Sequence, residues 1–129
     1  MKSKVQDRRK HRRHAVALEV QVQTIRTHET SRSVNLEGVI VDITEGGARL
    51  IVFRLSRRDY ALIMAETKLP DAQIFCTFPG HSEPTTLFGK ITYIDYREME
   101  PESCCQMGIR FGRMDVRDIK QLDHYICTL

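Results

Sequence analysis

The chain has 129 residues, 41% of them hydrophobic, which suits one compact domain with a real core. No apolar run approaches the roughly 18 residues of a membrane-spanning helix, and no apolar stretch follows the basic N-terminus to make a secretory signal, so a cytoplasmic protein is expected. The net charge of +3 is unevenly placed: residues 1–14 carry +6, from Lys2, Lys4, Arg8, Arg9, Lys10, Arg12 and Arg13 against Asp7, which leaves −3 on the rest.

In chain order, residues 1–14 read as a flexible basic arm, and 15–129 as a single domain. From Ala15 to Gln23 apolar and polar residues alternate, the period of a half-buried strand. A polar loop over 26–33 leads to a second strand at Val34–Ile43, rich in Val and Ile. Glu45-Gly46-Gly47 is a turn, and Ala48–Phe53 a third strand. Ser56 is placed to cap a short helix that runs to Lys68, before Pro70. Ala72–Phe78 and Leu87–Tyr96 are the fourth and fifth strands, separated by a turn at Pro79–Ser82. Cys105–Phe111 is the sixth. Asp115 then caps a closing helix whose Val116, Ile119, Leu122, Ile126 and Leu129 form one stripe, expected to lie on the barrel. Six strands with short connections and a final helix point to a mainly β fold, an antiparallel barrel or curled sheet.

Topology ties the arm to a turn far away in sequence. If strands one and two pair antiparallel, the second ends where the first begins, and the turn Asp42–Gly47 meets Arg9 and Arg13. These residue types suit a guanine nucleotide. Arginine can pair with phosphate, bond guanine O6 and N7, and stack on a purine. Asp42 can accept from guanine N1 and N2. Thr44 offers a hydroxyl for a polar edge or a phosphate, and Gly46 and Gly47 allow close approach to backbone N–H groups.

The motifs Arg9-Lys10-His11-Arg12-Arg13 and Asp42-Ile43-Thr44-Glu45-Gly46-Gly47 resemble those of PilZ domains, bacterial receptors for cyclic di-GMP. That family carries RxxxR before its first strand and [D/N]xSxxG after its second. Gly108-Ile109-Arg110-Phe111 is similar to its closing strand before the last helix. The resemblance covers nearly the whole chain and implies a six-stranded barrel. It also implies ligand contacts by Arg9 and Arg13, with Arg8 auxiliary, and by Asp42, Thr44 and Gly47. Thr44 replaces the usual Ser, keeping the hydroxyl and adding a methyl. Arg8 and Arg12 share the RxxxR spacing, but Arg13 leads into the first strand with the family's short interval. Tyr93 lies where some members place an aromatic on the ligand. The resemblance further implies an effector protein that relays the signal in motility or biofilm control.

Other chemistry is poorly represented. Cys76, Cys104, Cys105 and Cys127 form no C-x-x-C pair, and the five histidines lack metal-ligand spacing. No nucleophile motif, Walker loop or Rossmann fingerprint occurs, so neither catalysis nor a cofactor is expected. Two alternatives remain. One is a barrel that binds single-stranded nucleic acid through its basic arm; the acidic body and the lack of an aromatic cluster oppose it, and no nucleic acid is expected as a partner. The other is a PilZ-like adaptor without nucleotide. Ser56–Lys68, longer than the usual connection, is read as a covering helix, with a partner-binding insertion as the alternative.

Overall fold

A computed structural model describes residues 12–25, 33–65, 67–97 and 103–129. The strands are β1 (His14–Ile25), β2 (Asn35–Ile43), β3 (Gly47–Phe53), β4 (Asp71–Cys76), β5 (Thr85–Arg97) and β6 (Cys104–Phe111). They close into an antiparallel barrel in the order β1-β2-β3-β6-β5-β4, with helices α1 (Arg57–Ile63) and α2 (Val116–Cys127). Alternate residues of each strand fill the interior: Leu18, Val20 and Val22 from β1 meet Ile40, Leu50, Ile74, Leu87 and Met107.

The two rims are closed differently. β3 leaves at Phe53 into Leu55 and α1; Leu55 and Ile63 are buried, and Tyr60 stacks on Tyr96 with ring centroids 4.3 Å apart. Ser56 caps α1 as expected, accepting from the Asp59 N–H at 3.0 Å. The helix stops at Ile63, however, and does not reach Lys68. Ile63 is its one buried residue and Met64 is exposed, so a longer helix would have no apolar face to hold it. Pro70 also biases Leu69 away from helical geometry.

α2 packs on β5, capped by Asp115. Its buried face differs from the expected stripe. Leu122 is inside, but Val116 and Ile119 are exposed, at 63% and 38%, while Asp118 and Tyr125 are buried. Two specific contacts set this rotation. Asp118 Oδ1 accepts the Thr86 N–H at 3.2 Å, and Tyr125 stacks on Phe78 at 4.5 Å. β4 ends at Cys76, two residues short of the expected Phe78, which is fully buried just before the turn at Gly80.

Candidate functional site

The pairing register assembles the site at one rim. His14 faces Ile43 and Ala15 faces Asp42, so Arg13 enters the barrel beside the end of β2. Gly47 at the start of β3 faces Arg110 near the end of β6. The result is a cleft of about 280 Å³ whose lining includes Arg13, Asp42, Gly47, Arg49, Tyr93 and Arg110. Arg8 and Arg9 lie outside the described residues.

Two β-bulges aim the polar residues into this cleft. In β2, Leu36, Gly38 and Ile40 face inward, and strict alternation would send Asp42 inward too. An extra residue between Ile40 and Asp42 turns the carboxylate outward and lets Ile43 fill the core. In β5, Leu87, Gly89 and Ile91 are buried, and a second bulge, between Ile91 and Tyr93, turns Tyr93 outward.

Asp42 is held by Arg49, its cross-strand neighbour: Nε and one terminal nitrogen of the guanidinium each lie 2.8 Å from Oδ2. The carboxylate is 15% exposed, so the pair is only partly screened by solvent. The lining carries three arginines, Arg13, Arg49 and Arg110, against this one carboxylate. Such a balance attracts an anion and keeps one acceptor for a donor edge.

Thr44 organises the turn. Its Oγ1 accepts the N–H groups of Gly46 and Gly47 at 2.9 and 3.0 Å. The Thr44 N–H donates to the Gly47 carbonyl at 2.8 Å, and the Phe111 N–H clasps the Gly46 carbonyl at 2.9 Å. The two glycine N–H groups are therefore engaged inside the turn, not displayed to a ligand as the sequence suggested. Gly47 is required by close approach, since a Cβ there would lie 2.3 Å from the Ile109 carbonyl oxygen.

Tyr93 lies along the backbone of Gly108. A Cβ on Gly108 would fall 2.2 Å from Tyr93 Cε1, so only glycine admits the ring in this position. Gln106 Nε2 donates to the Tyr93 hydroxyl at 3.0 Å, which holds the far end of the ring. One aromatic face is thus fixed at the cleft wall.

The described residues contain no group of three metal-ligating side chains. Cys76 and Cys105 are buried, and burial pushes both thiols up to about 12, which keeps them protonated and poor nucleophiles at neutral pH. No helix among the described residues is long and apolar enough to cross a membrane.

The PilZ domain family model matches residues 7–127. This chain belongs to the PilZ domain family. Solved structures agree on the fold. The PilZ domain of Escherichia coli YcgR, solved with c-di-GMP, is similar at 18% identity over 95% of this chain and 92% of that one, with a TM-score of 0.57. The Bacillus subtilis inhibitor of motility MotI/DgrA gives 15% identity and a TM-score of 0.58, over 92% of this chain but 49% of that one. Borreliella burgdorferi PlzA in complex with c-di-GMP gives 12% identity and 0.52, over 96% and 54%. This PilZ domain therefore spans about half of the MotI and PlzA chains. No curated protein matches it by sequence.

Of the residues expected in the site, Arg13, Asp42, Thr44, Gly47 and Tyr93 line one cleft of this PilZ domain. Arg49 and Arg110 were missed. Both sit at outward positions of strands that start or end at the rim, two residues from Gly47 and Gly108. That spacing was a usable signal. Gln106 carried none, because its role depends on the β5 bulge.

Proposed function

We propose that this PilZ domain is a receptor for cyclic di-GMP. The observation that carries the reading is the convergence of Arg13, Asp42 and Tyr93 on one cationic cleft. Arg13 and Arg110 pair with phosphate oxygens, and Asp42, oriented by Arg49, accepts from the guanine N1–H and N2–H edge. Tyr93 offers its fixed face to a guanine. Thr44 and Gly47 act through the shape of the turn. Arg9, with Arg8 beside it, completes the site from the arm, which ligand draws onto the rim. That movement changes the surface an effector protein meets, and no catalytic step is involved.

Calorimetric titration with cyclic di-GMP, with GTP and cyclic di-AMP as controls, tests the reading. Arg9→Ala, Arg13→Ala and Asp42→Ala should each weaken binding about tenfold to over a hundredfold, the equivalent of one lost charged hydrogen bond. Lys2→Ala and Lys4→Ala should change little. Equal losses at all four basic residues, with a gain at Asp42→Ala, would instead describe a non-specific basic arm.

A further inference from the structure

A second concave surface lies on the barrel wall, away from the cleft. Its core is a single cross-strand row: Phe75 of β4 faces Gln21 of β1, Gln21 faces Glu37 of β2, and Glu37 faces Phe53 of β3. The next row adds Glu19 facing Val39. Together they line a groove of about 470 Å³ with a phenylalanine on each side.

Three features mark this as a binding surface. Phe53 and Phe75 are 46% and 38% exposed on an outer barrel face, where alternation should leave polar side chains. Three strand spacings separate them, a path of roughly 14 Å along the curved sheet, and a helix with its side chains is about 10–12 Å across. Glu19 and Glu37 lie on the floor between them, exposed, and neither makes an ion pair among the described residues.

We infer that this groove docks a basic amphipathic helix of a partner protein. Lysine or arginine side chains of that helix meet Glu19 and Glu37, their stems and apolar neighbours pack between the phenylalanines, and cations reach the ring faces. The closed barrel excludes the main alternative mode, addition of a strand, because the described sheet has no free edge. The two carboxylates, without an ion pair among the described residues, disfavour a symmetric contact with a second copy, which would bring like charges together, and an anionic lipid surface for the same reason. The groove uses the same β1, β2 and β3 whose other ends build the cleft, but none of the cleft residues. The inference therefore stands or falls apart from the nucleotide reading.

The test is an NMR titration of the full chain with a synthetic lysine–leucine amphipathic helix, with a glutamate–leucine helix of the same length as control. Saturable shifts should centre on Glu19, Gln21, Glu37, Phe53 and Phe75, and only for the basic peptide. Phe53→Ser with Phe75→Ser should weaken binding about tenfold or more, as loss of an apolar anchor does. Glu37→Gln should weaken it about two- to fivefold, as loss of one exposed charge does. The variants sit on the outer face, and amide dispersion verifies their fold. Shifts centred elsewhere, or equal response to the acidic peptide, would overturn the proposal. So would concentration-dependent shifts of these residues without peptide, which would assign the groove to a second copy. Changes at Arg12 and Arg13 in the peptide-free Phe53→Ser spectrum would assign it to the chain's own arm, and overturn the proposal equally.

Discussion

Thr44→Val separates two roles that the Thr44 hydroxyl could have. Valine keeps the shape and removes the one atom that accepts both glycine N–H groups, at 2.9 and 3.0 Å. Each neutral hydrogen bond contributes about 0.5–1.5 kcal/mol net, so the pair sets a range of about 1–3 kcal/mol. The turn is only part-buried, and water can replace some of what is lost, which places the expected cost near the lower end, at about 1–1.5 kcal/mol. For a domain of this size that is a fall in Tm of roughly 3–8 °C. Thr44→Ser, which retains the oxygen, should melt close to the parent. Thermal unfolding of the ligand-free protein reads the first effect, and titration with cyclic di-GMP reads the second. The turn role requires that Thr44→Val lower the ligand-free Tm and weaken binding together. A variant with an unchanged Tm and lost binding would show that the hydroxyl touches ligand directly, and would refute the assignment of Thr44 to the turn.

The geometry sets four further outcomes. Arg49→Met should weaken cyclic di-GMP binding by freeing the Asp42 side chain, and a double-mutant cycle on stability with Asp42→Ala should return a coupling of about 0.5–1 kcal/mol. Gly108→Ala should expel the Tyr93 ring, because the new methyl overlaps Cε1; with aromatic stacking worth about 1–3 kcal/mol per base, affinity should fall about fivefold or more, and Tyr93→Ala should add nothing in that background. Asp118→Ala should cost about 1–3 kcal/mol in denaturant unfolding, because it strands the part-buried Thr86 N–H that fixes the rotation of α2. The native state holds protons on Cys76 and Cys105 up to about 12, whereas the unfolded chain releases them near the ordinary thiol value of 9.0. Stability should therefore be intact below about pH 9 and decline as pH rises toward 12, and Cys76→Ala with Cys105→Ala should flatten that decline in a pH series of melts.

The elements of this fold are legible in the residues because their signals are local. Two-residue alternation marks β1 and β6, and Ser56 and Asp115 start the helices where capping chemistry predicts. Even the meeting of Arg13 with Asp42 could be read in advance, since antiparallel pairing of neighbouring strands requires it. The direction in which site residues point was not legible. Asp42 and Tyr93 both stand at positions that alternation assigns to the core, and each reaches the cleft through a bulge set by pairing with a distant strand. One inserted residue moves every later side chain of its strand to the opposite face, and no local propensity records it. The rotation of α2 has the same origin. Its apolar stripe favours burying Val116 and Ile119, but the Asp118–Thr86 bond and the Tyr125–Phe78 stack turn another face inward. Composition and periodicity determined which segments would be strands and helices. The tertiary structure decided which faces they present, because register and helix rotation are fixed by contacts between residues tens of positions apart.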